Sequence, residues 1–444
     1  MEDAFCCICN DKAYDVVLEM RDKVANYRKV CCKGCGYVYA NPRMTSEETK
    51  VFYSRDYTTT YIKRHKKSSA ERLAWELYHS ARQFDAIRRH VPLREGMRVL
   101  DAGCAFGSLL AIFKEFGCDV VGTEPGEEYR AYHRDLYDLA VECDLFENVH
   151  SRFRDYDLVL LSYTLEHVRE PLDFLRKVGE ALRANGIVYI SVPNLFKPPH
   201  HATAPLAASH FQAFSVRSLH NLLCKAGLIP VTIDDTTIPG TILFLATKQN
   251  GEAPTFEFID THADVMCTLQ AYQTLEHIMT MRDRHAAETM LQRSPEFSDF
   301  LYFILAAVHY GRDSAKSEDY LLKTIAAKRV SRTKEPLNWS LADAHFILGR
   351  LLHQQGRYQE AAGELAAAER LYPQLHTFSF LRAVRSYVSF PRDLQKGQLY
   401  YLRLFPLLRQ THLKLGLQDK AEEALKKTGW LGISCQDGPR RQTH

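Results

Sequence analysis

A strand, a glycine turn and a helix follow one another from residue 98, and this pattern constrains the fold more than any other feature. The strand Arg98–Asp101 enters a turn that contains Gly103 and Gly107, an apolar helix begins after it, and a second strand ends at Glu124. This order is typical of α/β domains that bind nucleotides. The two glycines allow a ligand to approach the backbone, and Glu124 follows at a separation from which a carboxylate can bind both ribose hydroxyls.

The residues after this pattern are informative because a dinucleotide enzyme would also contain a glycine turn. Residues 156–162 are almost continuously apolar, as expected of a strand buried in a parallel sheet. A helix is predicted over Pro171–Ala184, with apolar residues on one face, and Asn185-Gly186 ends it. The next strand is predicted over Ile187–Asn194. The alternation of strands and helices predicts a central α/β domain.

Together these segments resemble the class I S-adenosylmethionine-dependent methyltransferase superfamily, in its small-molecule and glycan branch. The likeness rests on VLDAGCAFG, VVGTEP, YDLVLLSYTLEHVREP and LRANGIVYISVPN, and on HFQAFSVRSLHNLLCKAGL ahead of two final strands at 229–236 and 241–247. It implies a Rossmann-like seven-stranded sheet with an antiparallel final hairpin. It also implies that S-adenosylmethionine binds across the tips of the strands.

The resemblance assigns cofactor-binding roles to the matching residues. The methionine part is expected at Asp101 and the glycine turn, the ribose at Glu124 and the adenine beside Asp144. The sequence departs from the family at Ala105, where glycine is usual, and the extra methyl group narrows the turn. The implied cofactor-binding residues are Asp101, Gly103, Cys104, Ala105, Gly107, Glu124, Pro125, Asp144 and Leu145, with Ser162 and Tyr163 on the floor of the pocket.

Methyl transfer requires alignment of the acceptor, and it requires a base only where the acceptor must lose a proton. His210 is the first candidate base, since it lies in the segment Pro198–Phe214, which is expected to cover the acceptor site. His167 is the second candidate, although it can instead pack against the adjoining helix. Glu166 can orient a substrate hydroxyl or serve as a charge in the first helical turn. The histidines at 200 and 201 leave a metal site with His210 as an alternative.

Two C-x2-C steps near the start of the chain predict a metal site. Cys6, Cys9, Cys32 and Cys35 can complete a tetrahedral set of four thiolates, which suits Zn2+ in a closed, structural role. A module of this size has too little core to fold without such a ligand. The adjacent cysteines, at 7 and 31, leave the ligand set open, and a redox dithiol is the alternative. The module resembles the zinc ribbon that precedes many such methyltransferase domains.

The last third of the chain reads as helical. The segment Ala342–Pro373 matches a tetratricopeptide-like helix pair, and a weaker copy places Gly416 where the first has Gly356. Such stacks offer a concave surface, which predicts a protein partner or self-association. The alternatives are an irregular helical bundle and a domain that only packs on the rest of the chain.

These segments give an organisation of five parts and exclude some functions. They are a zinc-ribbon-like module at 1–45, a helical linker with entrance aromatics at 46–90, the methyltransferase domain at 91–250, a helical domain at 258–430 and a disordered tail at 431–444. A net charge of +3 makes a nucleic-acid target unlikely on electrostatic grounds. The sequence has no apolar run of the roughly 18 residues that a membrane span needs, so a cytoplasmic location is expected.

The predicted function is methylation of a sugar, glycan or other small molecule, at oxygen. One alternative is a protein or RNA methyltransferase that recognises its target through the zinc ribbon or the helical repeats. Another is a catalytically inactive scaffold, against which the intact Asp101 and Glu124 argue.

Overall fold

The computed structural model describes residues 1–21, 26–53, 69–196, 204–235, 237–238, 240–248, 260–281, 284–293, 298–310, 312–330, 341–371 and 400–429. The expected tail at 431–444 and the histidines at 200 and 201 lie outside these ranges. The chain divides into two compact units, and the described residues fall into Met1–Glu276 and the part from His277 onward. None of the described helices is long and apolar enough to cross a membrane.

The first unit contains all strands of the described ranges and seven helices, of which the last continues into the second unit. The strands are β1 Tyr14–Arg21, β2 Asn26–Cys32, β3 Val38–Ala40, β4 Arg98–Ala102, β5 Asp119–Thr123, β6 Val141–Glu142, β7 Tyr156–Ser162, β8 Leu182–Pro193, β9 Gln212–Ala213, β10 Leu228–Asp234 and β11 Thr241–Lys248. The helices are α1 Ser46–Val51, α2 Ser69–Arg88, α3 Ser108–Phe116, α4 Phe146–Val149, α5 Pro171–Ala181, α6 Val216–Lys225 and α7 His262–Met281.

The larger sheet has seven strands in the order β10-β11-β8-β7-β4-β5-β6. The strands from β8 to β6 pair in parallel, whereas β11 pairs antiparallel with both β8 and β10. The predicted seven-stranded α/β sheet with an antiparallel final hairpin is therefore confirmed. Because β4 has β5 on one side and β7 on the other, the chain direction across the sheet reverses there. Ligands of such sheets bind at this point, beyond the carboxyl ends of the strands.

Hydrophobic burial explains why these residues form a sheet covered by helices. Residues 158–161 of β7 are fully buried, as the apolar run predicts for a strand covered on both faces. Helix α5 starts with Pro171 in its first turn and buries Phe174, Leu175 and Val178. It ends at Ala181 and not at Ala184 as predicted, because Leu182 adopts an extended conformation and pairs with Tyr156.

The cysteine-containing part forms a second sheet in the order β1-β2-β3-β9, which we call the module sheet. Its fourth strand comes from the segment between β8 and α6, so the module is completed by a distant part of the chain. Val38 pairs with Ala213 and Tyr39 with Gln212, both antiparallel. The module and the seven-stranded sheet consequently belong to one compact unit.

The division between the units lies inside α7 and not near residue 258, where a domain was expected to begin. Asp260 accepts a hydrogen bond from the Ser215 hydroxyl at the start of α6. Val265 and Leu269 of α7 pack with Cys31 and Val38 of the module sheet. The first part of α7 therefore contributes to the core of the first unit.

The second unit is helical in its described residues, and consecutive helices from residue 284 onward pack against one another. Within α11 and α12, Gly349 allows close approach, because a Cβ there would lie 2.8 Å from Leu365 Cγ. Gly356 and Gly416 both adopt positive φ, of 78° and 68°, in the turns of two pairs. The helices are α8 Arg284–Arg293, α9 Ser298–His309, α10 Ser314–Val330, α11 Leu341–Gln354, α12 Tyr358–Leu371, α13 Tyr400–Lys414 and α14 Gln418–Gly429.

Candidate functional site

The glycine turn follows β4 and leads directly into α3. Gly103 has a φ of +87°, and a Cβ there would lie 2.8 Å from Thr164 Cγ2. Gly107 has a φ of +77°, and a Cβ there would lie 2.8 Å from Leu139 Cδ1. Both positions therefore need glycine for backbone conformation and for space. The turn lies beside the end of β5, because the amides of Gly103 and Cys104 both donate to the Thr123 carbonyl.

Glu124 lies at the end of β5 and bonds to the glycine turn. Its Oε2 accepts a hydrogen bond from the Ala105 amide at 2.9 Å, and its Oε1 accepts one from the Gly126 amide at 2.8 Å. Burial raises the pKa of the Glu124 carboxyl to about 7. Each oxygen keeps a second lone pair, so the carboxylate can also accept hydrogen bonds from a ligand's hydroxyl groups.

Ala105 occupies the position where glycine was expected, and the surrounding residues hold it in place. Its φ is +44°, in the left-handed region that strains residues other than glycine. The Ala105 carbonyl accepts a hydrogen bond from His133 Nε2 at 2.6 Å, while its amide donates to Glu124. Hydrogen bonds on both sides of the residue thus compensate for the strain in the turn.

Asp101 lies at the end of β4 with only 2% of its surface exposed. Its Oδ1 is buried and has no hydrogen-bond partner among the described residues. Burial, and then the nearby Glu124, raise the pKa of the Asp101 carboxyl to about 8. A buried carboxyl oxygen without a partner is costly. The site therefore fits a ligand that brings an N–H donor or a cation to this oxygen.

A cavity of about 340 Å³ opens beside these strand ends. Of the predicted cofactor-binding residues, the cavity is lined by Gly103, Ala105, Glu124, Pro125, Leu145 and Tyr163. The cavity lining does not include Asp101, Cys104, Gly107, Asp144 or Ser162.

Two of these residues make structural hydrogen bonds instead. Asp144 Oδ1 accepts from the Leu145 amide and from Asn148 Nδ2, both at 2.7 Å, at the start of α4. Ser162 Oγ donates to Gln83 Oε1 at 2.7 Å, so it does not face the pocket floor as expected. Tyr163, which was predicted on the pocket floor together with Ser162, lines the cavity, and its hydroxyl lies 2.5 Å from Thr241 Oγ1.

The cavity also has lining residues that sequence reasoning missed. Ser46 and Thr49 of α1 lie on its wall, together with Arg169 and Lys177. A Thr-x-x-Glu capping box begins at Thr45 and marks the start of α1, so this helix could have been found from sequence. No comparable signal marks the two basic residues.

The three predicted catalytic residues lie close together. One side-chain atom from each of Glu166, His167 and His210 lies within 4.8 Å of the others. The rings of the two histidines meet edge to face, with centroids 4.8 Å apart. Among the three, only His167 lines the cavity.

Hydrogen bonds fix the ring of His167. Its Nδ1 lies 2.9 Å from the Ser209 carbonyl oxygen and 3.0 Å from the Tyr53 hydroxyl. A carbonyl oxygen only accepts, so Nδ1 carries the proton and Nε2 is the basic atom of the ring. Burial lowers the pKa of His167 to about 4, which keeps the imidazole neutral near pH 7. His210 instead donates from Nδ1 to the Pro205 carbonyl at 3.1 Å.

The four cysteines of the module form one cluster. The sulfurs of Cys6 and Cys35 are 3.5 Å apart, those of Cys9 and Cys32 are 3.4 Å apart, and all four lie within 4.8 Å of one another. Tetrahedral Zn2+ with bonds of about 2.3 Å requires sulfurs roughly 3.8 Å apart, so the donor set fits this metal. Cys31 points to the opposite face of β2, as strand alternation requires, and packs with Val38.

Residues 75–233 match a family model described as a methyltransferase domain. A ubiquinone biosynthesis O-methyltransferase of Bradyrhizobium diazoefficiens is 32% identical over 120 residues, which cover 26% of this chain and 47% of the relative. Its counterpart from Roseobacter denitrificans is 26% identical over 154 residues, covering 31% of this chain and 62% of the relative. The chain thus spans about half the length of the curated relatives it matches. Residues 75–233 are therefore a methyltransferase domain.

Among solved structures, the chain is similar to a 1,6-didemethyltoxoflavin-N1-methyltransferase of Burkholderia thailandensis, solved with 1,6-didemethyltoxoflavin and S-adenosylhomocysteine bound. The two are 16% identical, with a TM-score of 0.36, and the match covers 52% of this chain and 99% of the other. A putative S-adenosylmethionine-dependent methyltransferase of Listeria monocytogenes is 19% identical, with a TM-score of 0.33, and covers 38% of this chain and 100% of its own.

Proposed function

We propose that the chain, built around its methyltransferase domain, transfers a methyl group from S-adenosylmethionine to an oxygen atom of a small-molecule acceptor. One observation carries this proposal. Two buried carboxyl groups, Asp101 and Glu124, end the adjacent parallel strands β4 and β5 on either side of one glycine turn, beside a cavity of about 340 Å³. Bound S-adenosylmethionine supplies a methyl group that its sulfonium already activates.

The residues of the site fit this cofactor. Asp101 has a buried oxygen without a partner, which suits the amino group of the methionine part. Glu124 has lone pairs for the ribose hydroxyls, while Leu145 offers apolar surface for the adenine. Cys104 and Gly107 belong to the glycine turn, although neither lines the cavity. Asp144, which bonds to Leu145 and Asn148, supports the adenine side indirectly.

His167 is the residue best placed to remove a proton from an acceptor hydroxyl. It lines the cavity, and the Ser209 carbonyl fixes the tautomer in which Nε2 accepts the proton. Nε2 would accept the proton that an acceptor hydroxyl loses when it is methylated. Glu166 and His210 do not line the cavity, although a side-chain atom of each lies within 4.8 Å of one in His167.

The acceptor class is inferred from the relatives and from the resemblance of the sequence. The curated relatives are named O-methyltransferases, which favours oxygen as the methylated atom. The sugar or glycan acceptor is a narrower prediction that rests on the resemblance alone. We further propose that the cysteine cluster binds a zinc ion. The helices of the second unit would offer a tetratricopeptide-like surface to a protein partner or to a second copy of the chain.

Calorimetric titration with S-adenosylmethionine and S-adenosylhomocysteine tests the cofactor site. We expect saturable binding of both by the full chain, weakened roughly 10- to 100-fold in Glu124→Ala, because hydrogen bonds to a charged group are lost. Asp135→Asn is the control, since Asp135 is exposed and pairs only with its neighbour Arg134 among the contacts described. Absence of binding by a folded, metal-loaded chain would refute the proposal.

A further inference from the structure

The side chain of Gln212 connects the module sheet to the wall of the cavity. Gln212 lies in β9 and is 3% exposed. Its Oε1 accepts a hydrogen bond from the Tyr37 hydroxyl at 2.6 Å, and its Nε2 donates to the Val168 carbonyl at 3.0 Å. A longer contact of 3.4 Å reaches the Arg169 carbonyl. Since two carbonyl oxygens can only accept, the amide has one orientation, and both of its ends are used.

On the module side, Tyr37 is held by the sheet and the cysteine cluster. It is 1% exposed, follows Cys35 by two residues, and stacks on Tyr39 with ring centroids 5.8 Å apart. Tyr39 in turn pairs with the backbone of Gln212. The position of the amide therefore depends on the module through both its side chain and its strand.

On the cavity side, Phe211, which precedes β9, and Gln212 hold the two ends of a short segment that contains His167. The Phe211 amide donates to the Glu166 carbonyl at 2.7 Å, and Gln212 holds the carbonyls of Val168 and Arg169. The fully buried ammonium group of Lys29, from β2, also donates to the carbonyl of His210. His167 thus lies between contacts that originate in the module sheet.

We propose that Gln212 is a positioning residue, through which the cysteine module sets the orientation and the water exclusion of His167. This role rests on the proposed function, in which His167 accepts the proton of the acceptor. The amide touches neither cofactor nor acceptor, so it acts only through the segment that it holds.

The groups that face His167 determine how its pKa would change if this segment moved. Tyr53 and the Ser209 carbonyl bond to Nδ1, His210 meets the ring edge to face, and Glu166 precedes it. Lys29 adds to the effect of burial in lowering the pKa of His167, and the Ser209 carbonyl opposes it. If the segment moves and water enters, burial weakens, and the pKa of His167 rises toward the ordinary value of a histidine.

Nuclear magnetic resonance of the 15N-histidine-labelled full chain tests this, with the His167 signal assigned through His167→Gln. In Gln212→Met we expect the pKa of His167 to rise by about one unit or more. We also expect its Nδ1–H tautomer to predominate less over the Nε2–H tautomer. Tyr37→Phe removes only the tyrosine hydroxyl that donates to Gln212, and it should raise the pKa of His167 by a smaller amount. It serves as the second variant where Gln212→Met does not fold.

Gln83→Met is the matched control. Gln83 is a buried glutamine of α2, 5% exposed, whose Oε1 accepts from Ser162 and Ser191. An unchanged His167 signal in both Gln212→Met and Tyr37→Phe would overturn the proposal, and so would an equal change in Gln83→Met. Titration of each variant with S-adenosylhomocysteine, expected within about twofold of the parent chain, separates the two proposals. A parent chain that fails to bind this ligand refutes the methyltransferase function, whereas the histidine signal still reports on the amide.

Discussion

At the scale of single residues, the two buried carboxyl groups predict that cofactor binding depends on pH. Burial raises the pKa of Asp101 to about 8 and that of Glu124 to about 7, so both are partly protonated near neutral pH. The amino group of S-adenosylmethionine is a cation and favours ionised Asp101. We therefore expect the affinity to rise between pH 6 and 8, with release of protons on binding.

Calorimetry at pH 7 in two buffers of different ionisation enthalpy measures this proton release. Asp101→Asn is the control, and it should weaken binding and reduce the number of protons released. A parent chain that binds the cofactor with the same affinity at pH 6 and pH 8 would contradict the raised pKa of Asp101 as the cause.

His133 supports the unusual alanine of the glycine turn. His133→Leu removes the donor to the Ala105 carbonyl, so the free energy of unfolding should fall by about 1–3 kcal/mol and S-adenosylhomocysteine should bind more weakly. His345→Leu is the matched control, because His345 is similarly buried, bonds to Glu364 and lies in the second unit. Chemical denaturation and calorimetry measure both effects. Equal losses of affinity in the two variants would show that the turn does not depend on His133.

At the scale of elements, the cysteine cluster distinguishes between the adjacent residues Cys6 and Cys7. Cys6 belongs to the cluster of four sulfurs, whereas Cys7 lies outside it. Elemental analysis should therefore find about one zinc ion per chain in the parent and in Cys7→Ser, and much less in Cys6→Ser. Zinc loss in Cys7→Ser alone would reverse the assignment of the ligands.

The pair α11 and α12 allows an equally direct test of close packing. Gly349→Ala places a Cβ 2.8 Å from Leu365 Cγ, so we expect it to destabilise the second unit. Gly363→Ala, in α12, has no neighbour within 4 Å of the new Cβ and should stabilise the helix by about 0.5–1 kcal/mol. Hydrogen exchange over residues 341–371 measures both. Equal protection in the two variants would contradict this packing.

The elements that could be predicted from sequence are those with a long apolar pattern. The run over 156–162 indicated β7 because several consecutive buried residues have no other common explanation. Strand β9 was missed, since Gln212 and Ala213 show no periodic pattern, and their pairing depends on the distant β3. Helix α5 was predicted three residues too long, because the pairing of Leu182 with Tyr156 overrides helix propensity.

At the scale of the whole chain, the sequence suggested a separate zinc-ribbon-like module at 1–45 and a methyltransferase domain at 91–250, whereas both lie in one of the two compact units. The motifs identified the glycine turn, both acidic residues and the residues around His167, because each occurs in one continuous stretch. The connection from Tyr37 through Gln212 to Val168 joins three stretches, and no motif records it. Sequence reasoning therefore found the candidate site but not what holds it in position.

The pairing of β3 with β9 has a consequence for how the protein is made. Tyr37 and Gln212 are 175 residues apart in the chain, and synthesis proceeds from the N-terminus at roughly 5–20 residues per second. The first three strands of the module sheet thus leave the ribosome well before their fourth partner exists. During that interval the edge of β3 is open to any other strand. Zinc, if the four cysteines bind it as proposed, would hold the first residues of this unfinished sheet together until residue 213 is made.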